Sequence, residues 1–180
     1  LYHAVAMKYF LLIWICLYAV QARAQHRIIV AGDGSGDFTS IQAAVNSLPD
    51  SSAEPRVIFI RKGTYREKVF ITKHNLVLEG QDREKTVLVF AVARDEWRCD
   101  HPDDWGVATL NVRANDITLK NLTVTNSFGF DFKGDYTVPC ASDSTGKRTI
   151  SIRSHQMALR TQFCTRLKAI NCHFRAFGGD

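Results

Sequence analysis

The stretch NDITLKNLTV, residues 115–124, decides the fold class of this chain. It contains two short runs in which apolar and polar residues alternate, with Asn121 between them. Similar stretches occur earlier as NLVLEG at residues 75–80 and later as LKAINCHF at residues 167–174, where Asn171 marks the corner. Alternation with period two is typical of β-strands, and asparagine tolerates the left-handed backbone of a tight corner. A strand–corner–strand unit that returns every few tens of residues indicates a stacked β-solenoid.

The rest of the chain continues this pattern of short strands separated by turn residues. Strands are predicted at residues 27–31, 56–60, 68–71, 76–78, 86–90, 108–112, 117–119, 122–125, 149–152, 157–161, 167–170 and 173–176. One helix is predicted, at Phe38–Leu48, because its apolar residues recur every three or four positions, and Thr39 or Ser40 is its candidate N-cap. So many strands with almost no helix exclude a doubly wound α/β fold. A β-sandwich remains an alternative to the solenoid.

The composition limits the classes of protein to which the chain can belong. Of its 180 residues, 46% are hydrophobic and 23% are charged, as in one ordinary globular domain. The chain has 23 lysine and arginine residues and 18 aspartate and glutamate residues. This mild excess is compatible with a polyanionic partner. The basic residues are scattered along the sequence, whereas nucleic-acid binding needs them clustered on one face, so no nucleic-acid partner is predicted.

The N-terminus has the anatomy of a secretory signal peptide. Lys8 is followed by an apolar run over residues 9–20 and by the sequence QARA at residues 21–24. The run is shorter than the roughly 20 residues that a membrane-spanning helix needs, and a buried N-terminal helix is the alternative. We therefore predict a signal peptide at residues 7–24 and a mature protein that begins at Gln25. The product is expected to be secreted or periplasmic, with no membrane contact after cleavage.

The cysteines suggest disulfides rather than a metal site. Four remain after removal of the signal peptide: Cys99, Cys140, Cys164 and Cys172. An oxidising compartment permits disulfides between them, and four cysteines allow three connectivities that the sequence leaves open. None of the four forms a C-x-x-C pair, so a zinc site is not predicted. Cys164 and Cys172 are expected to be buried as ordinary hydrophobic residues.

The glycine-rich stretch GDGSG at residues 32–36 lies between the first strand and the predicted helix. Its glycines do not have the G-x-G-x-x-G spacing of a dinucleotide site, and no Lys-Ser/Thr pair follows. We therefore interpret it as a tight turn that leads into the helix.

Several motifs appear in a fixed order along the mature chain. They are GDGSGDFTSIQAAV at 32–45, KGTYREKV at 62–69, HQMALR at 155–160 and NCHFRAFGGD at 171–180. Together they resemble the pectinesterase (pectin methylesterase) family over nearly all of residues 25–180. The resemblance implies an all-β fold, a right-handed parallel β-helix, in agreement with the predicted solenoid. The single predicted helix would then cap the N-terminal end of the coils.

The resemblance also implies an activity. Pectinesterases remove methyl esters from polygalacturonate and release methanol and pectate, in cell-wall modification or pectin degradation. The implied mechanism uses two aspartates and neither a metal nor a cofactor. One aspartate attacks the ester carbonyl, and the other acts as acid and then as base. Glutamine amides hold the developing oxyanion. The implied partner is pectin, and we expect a monomer.

Two residues match the family's catalytic motifs. Gln156 corresponds to the first oxyanion glutamine, and Asp180 corresponds to the acid/base aspartate. Gly179 stands where many members have a second glutamine, so a second oxyanion donor is missing or comes from elsewhere. The nucleophilic aspartate normally follows this point, and no residue here matches it. We therefore expect the domain at 25–180 to be truncated and inactive when expressed alone.

Structural roles compete with these assignments. Gln156 is alternatively a corner amide that pairs with the backbone, and Asp180 an exposed carboxylate after a glycine turn. Turn and cap roles are predicted for the earlier aspartates Asp33, Asp37, Asp82 and Asp116. The aromatic residues Trp105, Phe128, Phe130, Phe132 and Tyr136 are candidates for sugar stacking or for core packing. Two other function classes stay open, a catalytically silent carbohydrate-binding β-helix and a polysaccharide lyase, although no cluster of Ca²⁺-binding carboxylates is evident.

Overall fold

The computed structural model describes residues 27–131, 133–151 and 156–176. Within these residues it contains fourteen strands and three short helices. The strands are β1 (Arg27–Val30), β2 (Arg56–Ile60), β3 (Gly63–Arg66), β4 (Val69–Ile71), β5 (Leu76–Gly80), β6 (Thr86–Phe90), β7 (Leu110–Val112), β8 (Ile117–Lys120), β9 (Thr123–Asn126), β10 (Tyr136–Pro139), β11 (Lys147–Ile150), β12 (Leu159–Thr161), β13 (Leu167–Ile170) and β14 (His173–Ala176). The helices are α1 (Ile41–Asn46), α2 (Arg94–Asp100) and α3 (Phe128–Asp131).

Three parallel sheets form the body of the protein. Sheet A has the order β1-β2-β5-β8-β13, sheet B the order β14-β9-β6-β3 and sheet C the order β12-β7-β4. From β2 onward the chain passes from sheet A to sheet B to sheet C and back, so each circuit stacks on the one before. This architecture is a parallel β-helix and confirms the predicted solenoid. The sandwich alternative is wrong, because the one antiparallel pair among the described strands is the hairpin β10–β11.

Successive coils differ in length. The aligned residues Ile58, Leu78, Leu119 and Ala169 show coil lengths of 20, 41 and 50 residues. In both longer coils the extra residues are inserted at the same corner of the β-helix, between sheets B and C. One insertion lies between β6 and β7 and contains α2, and the other lies between β9 and β12 and contains α3 and the hairpin. Because the coils are stacked, the two insertions leave neighbouring coils from the same side of the protein.

The core consists of side chains that stack in columns along the helix axis. Ile58, Leu78 and Leu119 face inward at equivalent positions of sheet A, and each is at most 1% exposed. Full burial of such a side chain contributes about 1.5–3 kcal/mol. The apolar residues of each alternating run therefore point into this column, and the polar residues between them lie on the outer face of the sheet.

Asparagines occupy the corners where they were predicted. Asn121 and Asn171 have φ values of 53° and 51°, in the left-handed region. The Nδ2 of Asn171 donates a hydrogen bond of 2.8 Å to the Oδ1 of Asn121 in the coil before it. Asparagine therefore stabilises the corner between sheets A and B in two ways. It tolerates the left-handed backbone, and its side chain forms a hydrogen bond to the neighbouring coil.

A small residue is required at the end of β5, directly beside this corner. A Cβ atom on Gly80 would lie 2.1 Å from the carbonyl oxygen of Asn121. We expect Gly80→Ala to lower the free energy of unfolding by about 1–3 kcal/mol, because the coils must move apart. Chemical denaturation measures this change. Gly134→Ala is the matched control, since no atom lies within 4 Å of its added Cβ. Equal stability of the two variants would contradict the close approach.

Helix α1 is shorter than the predicted Phe38–Leu48, and it begins at the predicted cap. The Oγ of Ser40 accepts a hydrogen bond from the backbone N–H of Ala43. The carboxylate of Glu67 accepts hydrogen bonds from the N–H groups of Ile41 and Gln42, at 2.7 and 3.0 Å. These bonds satisfy N–H groups that a helix start leaves without partners. The glutamate of the KGTYREKV motif therefore anchors the helix.

The helix covers the first coil, as predicted. Ile41, Ala44 and Val45 are buried in the main core. The side-chain amide of Gln42 accepts a hydrogen bond from the N–H of Phe70 at 2.6 Å and donates one to its carbonyl at 3.3 Å. Phe70 lies on β4, the edge strand of sheet C, so Gln42 occupies backbone groups that a neighbouring strand would otherwise use.

Helices α2 and α3 and strands β3 and β10 differ from the prediction. Helices α2 and α3 were not predicted, so the expectation of a single helix is wrong. They have seven and four residues and are too short to display a helical period. Strand β3 was not predicted, because Tyr65 is its only buried residue. Strand β10 was not predicted either, and none of its residues is buried. The predicted signal peptide at residues 7–24 lies outside the described residues. In the part that the structure describes, no helix is long and apolar enough to cross a membrane.

Candidate functional site

A disulfide joins the two insertions. Cys99 on α2 is bonded to Cys140, which follows β10, and their Cα atoms are 4.7 Å apart. This pairing settles the connectivity that the sequence left open. Cys164 and Cys172 are free thiols that are half-buried against the main core. They were expected to be buried; both are instead partly exposed, and both pack against the core as hydrophobic residues.

Polar contacts reinforce this junction. The Oη of Tyr136 donates a hydrogen bond of 2.6 Å to the carboxylate of Glu96. Burial raises the pKa of the Tyr136 hydroxyl above its usual value, and the bond to Glu96 raises it further. The guanidinium of Arg148 donates to the carbonyl of Asp95 at 3.2 Å. The insertions therefore form a single wall beside sheet C.

Aromatic residues attach this wall to the coils. The Nζ of Lys68 lies 3.8 Å from the ring centre of Trp97 and 5.2 Å from that of Phe90. The ring of His101 is stacked on Trp97 with a centroid distance of 3.5 Å. Burial lowers the pKa of Lys68 to about 8. The Trp105 ring lies beside Phe70 of β4, so α2 and the loop after it pack against the outer face of sheet C.

Gln156 lies where the second insertion returns to the body of the protein, three residues before β12 begins. It is 3% exposed. Its Oε1 accepts a hydrogen bond of 3.2 Å from the backbone N–H of Gly129 in α3. This bond fixes the orientation of the amide and assigns the acceptor role to Oε1. The Nε2 group is the donor of this amide, and an oxyanion needs a hydrogen-bond donor.

The side chain of Asn126 forms hydrogen bonds to backbone groups at the ends of both insertions. The sequence analysis did not identify this residue. Its side chain is fully buried. The Nδ2 donates to the carbonyls of Val92 and Met157, at 2.8 and 3.2 Å. The Oδ1 accepts from the N–H groups of Val92 and Phe128, both at 3.2 Å. Since Met157 follows Gln156, Asn126 fixes the backbone that carries the candidate oxyanion donor.

The other candidate residues are dispersed. Phe128 is 1% exposed and belongs to a small core with Tyr136, whereas Phe130 is 58% exposed beside Gly129. The Trp105 ring is covered on one face by the guanidinium of Arg113, 4.1 Å away. Phe132, Gly179 and Asp180 lie outside the described residues, so their predicted roles stay predictions.

The aspartates that were assigned to turns are found in turns. The Oδ1 of Asp82 accepts hydrogen bonds from the N–H groups of Glu84 and Lys85. Asp33 bonds Ser35 in the glycine turn, and Asp116 has a φ of 61° and pairs with Arg166. Asp37 accepts from the N–H of Ile29. Across the described part of the chain, no group of three or more histidine, cysteine or acidic side chains is arranged to hold a metal ion.

Comparison with known proteins identifies relatives in sequence. The family model described as Pectinesterase matches residues 27–173. Pectinesterase A of Dickeya chrysanthemi is 33% identical over 125 residues, which are 67% of this chain and 34% of the relative. Probable pectinesterase 56 of Arabidopsis thaliana is 33% identical over 120 residues, which are 66% of this chain and 40% of the relative. The chain thus spans little more than a third of the length of these relatives.

Solved structures show the same fold. A pectin methylesterase from Erwinia chrysanthemi is 25% identical and superposes with a TM-score of 0.62, over 86% of this chain and 46% of that one. A pectin methylesterase crystallised in complex with a hexasaccharide is 26% identical, also with a TM-score of 0.62, over 83% of this chain and 45% of that one.

Proposed function

Because this chain belongs to the pectinesterase family, we propose that the protein hydrolyses the methyl esters of pectin and releases methanol and pectate. The observation that carries the proposal is the family match over residues 27–173 together with the position of Gln156. This amide is buried and oriented at the point where the wall of insertions meets sheet C. A related enzyme was crystallised with a hexasaccharide, which supports a polysaccharide chain as the substrate.

In the proposed mechanism a carboxylate attacks the ester carbonyl, and the negative charge that develops on the carbonyl oxygen is held by the Nε2 of Gln156. The leaving methoxide takes a proton from Asp180. Water then attacks the acyl-enzyme anhydride while Asp180 takes a proton from it. This step releases the attacking group as a carboxylate and leaves Asp180 protonated again. The attacking carboxylate matches no residue of this chain, so this role is unassigned.

We also propose that the protein is exported and acts as a monomer. The predicted signal peptide at residues 7–24 and the disulfide between Cys99 and Cys140 support export, because disulfides persist in oxidising compartments. N-terminal sequencing of the exported protein is expected to begin at Gln25.

Methanol release from methyl-esterified pectin tests the activity, with the protein expressed from its complete reading frame. We expect release at the same rate with and without a chelator. A lyase would instead produce unsaturated sugar ends and stop when Ca²⁺ is removed. A silent binding protein would retain pectin and release no methanol, and either outcome would overturn the proposal.

A further inference from the structure

A single buried side chain links the two supports of the Gln156 amide. The first support is the N–H of Gly129, which donates to the Oε1 of Gln156 at 3.2 Å. The second is the backbone at Met157, the residue that follows Gln156. The Nδ2 of Asn126 donates to the carbonyl of Met157, and its Oδ1 accepts from the N–H of Phe128, both at 3.2 Å. Because Phe128 directly precedes Gly129, Asn126 fixes where the two supports lie relative to each other.

The amide of Asn126 has a single orientation. An asparagine side chain offers two N–H donors and a carbonyl oxygen with two lone pairs. The Nδ2 of Asn126 donates to the carbonyls of Val92 and Met157, and the Oδ1 accepts from the N–H groups of Val92 and Phe128. All four positions are used, and the side chain is fully buried. Turning the amide over would set its N–H groups against two backbone N–H groups, so the network is rigid.

The two supports come from opposite ends of the second insertion. Gly129 lies in α3, near the start of this insertion, and Gln156 lies 27 residues later, at its end. An oxyanion donor is effective only when it is held in place before the reaction begins. A displacement of about 1 Å, even one caused far from the reacting atoms, lowers a rate by roughly 10²-fold. Asn126 is the side chain that bonds both ends of the insertion and so prevents such a displacement.

We propose that Asn126 is a positioning residue for the hydrolysis of the methyl ester, and that it acts through Gln156 by holding the oxyanion amide in its reactive orientation. The inference rests on the proposed function, since it requires Gln156 to be the oxyanion donor. Asn126 itself touches no substrate, because it is fully buried. Its loss therefore slows the chemical step and leaves the binding of pectin unchanged.

A double-mutant cycle with Gln156 tests this proposal in the protein expressed from its complete reading frame. Asn126→Asp keeps the shape of the side chain and its acceptor oxygen but removes both donated hydrogen bonds. We expect kcat for methanol release to fall by about 10- to 100-fold, with KM changed by less than about twofold. In a Gln156→Ala background the same substitution should lower kcat by less than about twofold, because the amide that Asn126 positions is absent.

Asn111→Asp is the matched control. Asn111 is also a fully buried asparagine, and its amide donates to the carbonyl of Ala108 at 2.7 Å and accepts from the N–H of the same residue at 3.2 Å. Neither bond involves the supports of Gln156. We expect a comparable fall in the thermal midpoint, with kcat within about twofold of the unaltered protein. Asn126→Ser retains one hydroxyl donor and should give a smaller loss of kcat; it replaces Asn126→Asp in the cycle if that variant does not fold.

Three outcomes would overturn the proposal: an unchanged kcat in Asn126→Asp, an equal loss with and without Gln156, or an equal loss in Asn111→Asp. The second would show that Asn126 acts independently of Gln156, and the third that any buried asparagine is needed for stability alone. The proposed function fails separately, if the unaltered protein releases no methanol.

Hydrogen exchange at the Gly129 amide tests the positioning itself without catalysis. Asn126→Asp should speed this exchange, because the hydrogen bond from Gly129 to Gln156 is weakened, whereas Asn111→Asp should not. Unchanged exchange in Asn126→Asp would overturn the positioning role even in an active protein.

Discussion

Asp180→Asn is expected to lower methanol release by about 10²- to 10⁴-fold, the range of general acid–base catalysis. Asparagine has nearly the same shape as aspartate and cannot give a proton to methoxide or take one from water. The fold should therefore be retained while the turnover number falls. Methanol release and circular dichroism of the variant and the unaltered protein measure the two effects.

Asp116→Asn is the control for this variant. Asp116 is an aspartate at a corner that leads into sheet A, where it pairs with Arg166. Asparagine accepts its left-handed conformation, so activity should remain. Full activity of Asp180→Asn, or an equal loss in Asp116→Asn, would show that the acid/base role lies elsewhere.

Gln156→Ala is expected to lower the turnover number by about 10²- to 10³-fold, because the proposed oxyanion donor is lost. The Michaelis constant should change little, since the charge on the oxygen develops in the transition state. Steady-state kinetics of methanol release separate these two parameters.

This experiment also tests the alternative that Gln156 is only a corner amide. Its Oε1 does accept a backbone hydrogen bond from Gly129, so a purely structural role predicts a loss of stability that accounts for the loss of activity. The control is Gln162→Ala, which removes an amide that accepts a hydrogen bond from Arg113 on the same sheet. If activity of both variants falls in proportion to their thermal midpoints, Gln156 is not an oxyanion donor.

Much of the fold could be predicted from short-range sequence features. The strands around Ile117–Leu119 and Leu167–Ile170 alternate with period two, and Asn121 and Asn171 mark the corners with the expected backbone. Strand β3 was missed because only Tyr65 faces the core, so no alternation was visible. Helix α2 was missed because its seven residues cover less than two turns.

The candidate site was predictable only in part. The motif around Gln156 is contiguous, so its resemblance to a family motif could be found without any knowledge of the fold. Asn126 could not be identified in this way, because its function depends on Val92 and Met157, which are 34 and 31 residues away. Its only signal in the sequence is a polar residue at the end of a buried strand.

The sequence by itself determined the strands and corners of each coil of the β-helix, because strand alternation and corner residues depend on only a few neighbouring positions. The tertiary structure decided which cysteines pair and which charges meet. Cys99 and Cys140 belong to insertions in different coils. Arg98 lies in the first insertion and Arg160 on β12, yet both approach Asp104, and no local pattern relates their positions. Stacking of the coils brings the two insertions to the same side of the helix. The disulfide and the approach of Arg98 and Arg160 to Asp104 are therefore consequences of coil stacking.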